Sequence, residues 1–370
     1  MAARRSLTLA AGTVVAAAAA LALWLHPWTQ GPSIDGLYVL REAVFGPREA
    51  APSAQVVPGQ VVPGQVVVVA IDEETYRRPP FAGTPQAIWT PHLGRALAAV
   101  DKAGPAVMGM DLIYPTSVDS LAPGFERPFL LALRDAGRKG RLVLAKVQHQ
   151  THPILPFRGQ VAAVGGPGNL RSVNLVEDPD GVLRRAPMFL SVEGADGAQV
   201  REPGFAAEVA GRAAGKPPLA LRPEADSLLI DHPTALGAFP TYSLADLYAC
   251  AEAGREDYFQ RHFAGKTVLI GTTLDVEDRK LSSNRWVTKP EGLAAPERCV
   301  LPPMEGLTVA GRTRDTIPGV YIHAAAAENL LSGGGLRELS PVGGAGLFAL
   351  LAGLSAAAAV PPSSGTAIAG

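Results

Sequence analysis

The chain has 370 residues, a formal net charge of −1 and only 18% charged residues. A balance this close to neutral, with no basic face, argues against nucleic acid as a partner. The two cysteines, Cys250 and Cys299, form no C-x-x-C and no Cys/His cluster, so nothing in the pattern announces zinc.

The first element in chain order is an apolar run, LTLAAGTVVAAAAALALWL, directly after Arg4, Arg5 and Ser6. About nineteen such residues cross a bilayer core of roughly 30 Å. Trp24 and Trp28 stand at its far end as interfacial anchors, and the arginines favour a cytoplasmic N-terminus. The rival reading is a cleaved secretory signal, with Ala20-Leu21-Ala22 as an A-x-A-like site. Both readings send the body of the chain out of the cytoplasm. Residues 1–28 are thus read as a membrane anchor, and residues 29–64, with the small repeat QVVPG-QVVPG, as a linker.

The body, residues 65–335, alternates strand and helix patterns. Gln65 to Asp72, QVVVVAID, is a β-branched run of the kind buried on both faces of a parallel sheet. The next helix is predicted from Pro91 to Ala103, with Thr90 as N-cap and Gly104-Pro105 as its stop. A strand follows at Ala106 to Tyr114, a helix at Phe129 to Ala136 and a strand at Arg141 to Val147. These successive steps predict right-handed crossovers and a parallel core. Asn169 to Val176 and Val182 to Val192 flank EDPDG, which predicts an antiparallel hairpin with its tip at Asp180-Gly181. Then come a helix at Gly204 to Ala214, a strand at Ser227 to Asp231 and a helix capped by Ser243. A buried strand at Lys266 to Thr273 and a helix opening at His323 close the body. Residues 279–316 are Gly- and Pro-rich and irregular, either a lid or a surface loop. The cysteines, in an exported domain, form one disulfide or stay as two thiols. A second uncharged apolar run, residues 342–360, is another spanning candidate, and residues 361–370 read as the start of a further membrane region cut short. The fold class expected is therefore α/β: a three-layer domain with a largely parallel mixed sheet and an antiparallel hairpin, flanked by transmembrane helices.

The order of motifs is recognisable. VVVVAID, IWTPHLGRALAAVDKAGPAVMGMDLIY, NLVEDPDGVLRRAP, FPTYSLADLY, GKTVLIGTT followed by Asp278, and PGVYIHAAAAENLL resemble, in that order, the second type of CHASE domain. This is an extracellular sensory domain associated with cyclases and histidine kinases. The resemblance implies a receptor input module without catalysis of its own, in the cell membrane, with its main domain periplasmic or extracellular. It also implies a cytoplasmic output of cyclase, histidine kinase or serine/threonine kinase type, which this chain does not contain. Glu73-Glu74-Thr75-Tyr76 replaces the Ser-Leu-like pair usual after the first aspartate, so the details of that loop depart from the family.

Parallel strands present their carboxyl ends on one edge, where open α/β sheets place ligand crevices. Asp72 and Asp111 are expected to end adjacent strands there. They are joined by Gly271 and Thr272, by Asp275 and Asp278, and by His323 at the helix opening. Hard oxygen ligands of this kind suit a divalent cation such as Mg²⁺ or Ca²⁺. Neighbouring acids need a shared cation, open solvent or an arginine, for which Arg184 is the candidate. The same acids also serve as helix caps or loop anchors in many strand ends. Asp178, Asp180 and Gly181 read as turn chemistry, and the alternative for Arg184 and Arg185 is a structural network with those acids. The expected partners are the lipid bilayer, a small-molecule or ionic signal and a second copy of the chain. Two other readings stay open: an assembly module for a membrane protein, and an exported metal-dependent hydrolase using Asp72, Asp111 and Asp278.

Overall fold

The computed structural model describes residues 14, 27–46, 66–149, 152–193, 199–222, 226–233, 239–274, 276, 277, 279–286, 296–304, 316–337, 343, 346, 347 and 350. The two apolar runs lie almost wholly outside these residues. Among the described residues no helix is long and apolar enough to cross a membrane. Residues 39–336 form one compact unit, and residues 1–38 with 337–370 form another. Of the smaller unit, the structure describes chiefly the beginning of the helix α1, Pro27–Phe45.

The larger unit is built on six strands. They are β1 (Val66–Ile71), β2 (Val107–Asp111), β3 (Leu142–Lys146) and β4 (Leu170–Ser172), then β9 (Thr241–Ser243) and β10 (Thr267–Thr272). Their order is β4-β3-β2-β10-β1-β9, and every pairing is parallel. The valine run of β1 is buried along its whole length, as its composition requires. It lies one strand in from the β9 edge, with β2 and β10 at the centre.

Helices cover both faces. Helix α2 (Glu73–Arg77) follows β1, and α3 (Thr90–Lys102) and α4 (Arg127–Arg138) follow in turn. Helix α3 begins one residue earlier than its sequence signal, with Trp89 rather than Thr90 in the capping position. Helix α5 is Arg158–Ala163. Later come α6 (Phe205–Ala214), α7 (Leu244–Glu252), α8 (Glu256–Phe263) and α9 (Gly319–Leu331). Val67, Val69, Ile71, Met108 and Met110 pack against Leu93, Leu97, Phe129, Leu247 and Phe263, so α3, α4, α7 and α8 share one face. Val66, Val68, Val107 and Leu269 pack against Phe205, Val209, Ile322 and Ala326, so α6 and α9 share the other. The result is the expected α/β/α sandwich, whose alternate strand residues feed two separate cores.

The predicted hairpin through Asp180-Gly181 forms at its tip, but its arms are shorter than expected. The turn exists: Asp178 N–H donates to the Val182 carbonyl and Gly181 N–H to that of Asp178, at 2.9 and 2.8 Å. Gly181 takes φ +75°, a conformation that favours glycine. The arms diverge beyond one antiparallel bridge, Val176 to Arg185. The first arm supplies β4, which extends the parallel sheet beside β3. The second supplies β5 (Arg185–Pro187), which pairs antiparallel with β8 (Ser227–Leu229). The longer hairpin joins β6 (Phe189–Glu193) and β7 (Gln199–Pro203). A tip sequence fixes a reversal of direction; the buried apolar faces decide where each arm goes.

Candidate functional site

The carboxyl edge of the sheet gathers Asp72, Asp111, Gly271 and Thr272, four of the residues expected there. Asp72 leaves β1 and caps α2. Its Oδ1 accepts from Thr75 N–H at 2.8 Å, Thr75 Oγ1–H at 2.7 Å and Ser243 Oγ–H at 2.9 Å. Ser243 stands at the head of α7 but gives its hydroxyl to Asp72 instead of capping that helix. Burial pushes the Asp72 carboxyl up, and the three donated bonds oppose the rise.

Asp111 ends β2 in register with Gly271 of β10, which is itself in register with Ala70 of β1. Asp72 and Asp111 thus share one edge but do not end adjacent strands. β10 runs between them, so their backbones are roughly 10 Å apart across the sheet at two strand spacings. Gly271 is required by packing. A Cβ there would lie 2.8 Å from Val320 Cβ and 3.5 Å from Asp111 Cβ. Its bare backbone lets α9 seat Val320 on the strand end. Thr272 follows, half-buried, in register with Ile71. Asp275 and Asp278 fall outside the described residues.

Two expected members are placed elsewhere. Helix α9 opens at Gly319, so His323 lies in its second turn, buried, with its ring edge-to-face on Phe205 at 5.1 Å. The helix extends four residues ahead of the opening expected at His323, through Gly319–Val320. Arg184 is fully buried and bound to the turn acids: Nη1 donates to Asp178 at 2.9 Å, and Nη2 to Asp180 at 2.8 Å. Its hydrogen bond holds the Asp180 carboxyl below the usual range. The arginine expected at the crevice thus belongs to the Asp178-Pro179-Asp180 turn.

The cation at this edge is Arg298, from the long insertion. It makes a bidentate pair with the buried Glu74, at 2.7 and 2.8 Å, and its charge also reaches Asp72. Asp246, in the first turn of α7, accepts the N–H groups of Cys299, Val300 and Leu301 at 2.7–3.0 Å. Cys250 and Cys299 are joined in a disulfide, with Cα atoms 5.7 Å apart. Residues 296–304 are therefore strapped across α7 and α2. At the base of the insertion, β11 (Arg279–Leu281) pairs antiparallel with β12 (Thr316–Pro318). Of these anchors, sequence reading carried only the cysteine pair.

Two tyrosines beyond the strand ends pack toward α3 and α4. Tyr76, on α2, packs edge-to-face on Trp89 at 4.6 Å. Tyr114, beyond β2, packs on Phe129 at 6.0 Å. Glu277 lies in the loop after β10. Burial pushes both phenols up, and the Glu277 charge adds to each rise. Both tyrosines follow strand ends, in motifs already visible in the sequence.

Among the described residues no group of three or more His, Cys, Asp or Glu side chains is arranged to hold a metal ion. No curated protein and no solved structure matches the chain. The family model of the CHASE2 domain matches residues 12–359, so the chain belongs to the CHASE2 family of sensory extracellular receptor domains.

Proposed function

We propose that this chain is the extracytoplasmic input domain of a membrane-bound signal-transduction receptor whose output is of cyclase, histidine kinase or serine/threonine kinase type. The observation that carries the reading is the CHASE2 match over residues 12–359. The placement of Asp72, Asp111, Gly271 and Thr272 on one edge supports a sensory crevice there, open to a small-molecule or ionic signal. Helix α9 begins at that edge, against Gly271, and its thirteen residues run back over the sheet. At its far end Asn329 accepts from Asp231 N–H at 2.8 Å and donates to the Asp231 carbonyl at 3.1 Å. Asp231 in turn pairs with Arg41 of α1 at 3.4 Å. A helix of this length spans about 20 Å as one rigid element, so a shift at the crevice would reach the N-terminal helix through Asn329, Asp231 and Arg41.

Fusing the full chain to a cyclase reporter, in cells lacking their own cyclase, tests the reading. Output should change with Asp111→Asn at the crevice and with Asn329→Ala at the far end. Output that ignores both changes, in variants that accumulate normally, would refute it.

A further inference from the structure

We infer that the outward face of α1, along the stripe Leu37, Leu40 and Val44, is the contact through which two copies of this chain pair, their α1 helices side by side. The inference rests on the membrane-anchored reading above and names the partner that this helix takes.

The helix has its polarity reversed for a surface element. Asp35, Arg41 and Glu42 are its only charged residues. Asp35 is buried with Tyr38, Arg41 and Glu42 are half-buried, and Arg41 is held by Asp231 at 3.4 Å. The opposite side is apolar and bare: Leu37 is 66% exposed, Leu40 58% and Val44 64%. Steps of three and four residues keep these side chains on one face, the spacing of the seam between two packed helices. Gly36 lies in the same face, and a Cβ built on it would meet nothing within 4 Å. No contact within the chain therefore requires this glycine, although glycine is unfavourable in a helix interior; close approach of another backbone accounts for it. A contiguous apolar face left in water marks an interaction site.

The height of the stripe along the helix selects the occupant. Helix α1 begins at Pro27, two residues past the N-terminal apolar run. At 1.5 Å per residue, Leu40 and Val44 stand about 20 and 26 Å further along. The polar layer on each side of a bilayer's hydrocarbon core is only about 5–8 Å deep. A helix leaving the bilayer end-on thus carries the stripe clear of lipid. The stripe has no charge and no hydrogen-bonding side chain, so it asks only for apolar surface at the same height. A second copy anchored in the same membrane brings that surface to that height, and the shared anchorage raises its effective concentration. A two-fold axis along the helices then sets each stripe against the other. Arg41, on the opposite side of α1, keeps its tie to Asp231, so pairing does not compete with the connection to α9.

The test uses the full chain in membranes. Its two cysteines are joined to each other, so a single introduced cysteine is the one free thiol. A short bis-maleimide should join Leu37→Cys, Leu40→Cys and Val44→Cys chains into covalent dimers. Val39→Cys is exposed but about 100° from Leu40 around the helix, and Lys216→Cys is exposed elsewhere on the domain. Both should react with a monofunctional maleimide yet stay single. Leu37→Glu with Leu40→Glu should turn a dimer into a monomer in sedimentation, with the circular dichroism spectrum unchanged because both side chains are exposed. Cross-linking that fails at all three stripe positions, or is equal at Val39 and Leu40, overturns the proposal. Quenching of a fluorophore on Leu40→Cys by brominated lipid also overturns it and assigns the stripe to the bilayer. None of these readouts depends on output. A reporter fusion that responds to Asp111→Asn and Asn329→Ala keeps the receptor reading where pairing fails, and one that ignores both refutes that reading even in a dimer.

Discussion

Asp72 shows how one carboxylate can be stabilising as an acceptor and costly as a charge, and two substitutions separate these effects. All three bonds it accepts converge on Oδ1. Asparagine keeps an oxygen in that position and caps helices about as well as aspartate. Alanine removes the acceptor. It costs the α2 cap, about 1 kcal/mol, and leaves the buried hydroxyls of Thr75 and Ser243 to a poor mutual contact at 3.5 Å. Together these losses amount to roughly 2–4 kcal/mol, or a melting temperature lower by about 5–12 °C for a domain of this size. Asp72→Asn should stay within about 1 kcal/mol of the wild type. The pH dependence carries the sharper test. Because burial raises the folded-state pKa of Asp72 above the ordinary aspartate value, the native state holds its proton where the unfolded chain has lost it. That contribution to stability is fully present below the unfolded pKa and is lost as pH rises through the folded one. The melting temperature of Asp72→Asn minus that of the wild type should therefore become more positive from acid toward neutral pH. Calorimetry of the three proteins between about pH 3.5 and 7.5, the range around a carboxyl pKa, decides it. A difference that grows toward acid, or an Asp72→Asn as damaging as Asp72→Ala, refutes the reasoning.

The disulfide between Cys250 and Cys299 closes a separation of 49 residues. Cys250→Ser with Cys299→Ser should lower stability by about 4 kcal/mol on the chain-entropy account, and a reductant should lower the wild-type melting temperature but not that of the double variant. Gly271→Ala puts a Cβ 2.8 Å from Val320 Cβ. It should cost about 1–3 kcal/mol by overpacking; Val320→Ala, which keeps the Cβ and removes the methyl at 2.9 Å, should return only part of that loss, measured as a double-mutant cycle in urea. Arg184→Met leaves Asp180 without its arginine and Asp178 with Arg185 alone, and should destabilise by roughly 1–3 kcal/mol at neutral pH, since both acids keep some contact with water. The wild type should lose this advantage as pH falls through the lowered pKa of Asp180, so acid titration of the two proteins should converge.

The parallel core was legible because each central strand carries its own signature. VVVVAI and TVLIGT are buried on both faces, and their composition says so before any partner is known. Strand order was not legible. Asp72 and Asp111 stand at the ends of consecutive strands in the sequence, yet β10, far later in the chain, comes between them. No local pattern encodes which strand fills a gap; that depends on which helices can cover both faces at once. The same limit explains why the sequence left Arg184 between the crevice and the turn acids. Arg184 follows Asp178 and Asp180 within one turn, and a short-range pair of this kind is satisfied before any long-range one. Arg298 lies in a Gly- and Pro-rich insertion that shows no periodicity, and its partner Glu74 is 224 residues away in the chain. What brings them together is the strap around Cys299, whose three backbone amides converge on Asp246. Carboxylates at strand ends can be read from sequence as candidates for a site. Whether each is a cap, an anchor or a ligand is decided by donors that arrive from elsewhere in the fold. Asp72 has received its donors from Thr75 and Ser243, which make it the cap of α2 and the tie between β1 and the head of α7.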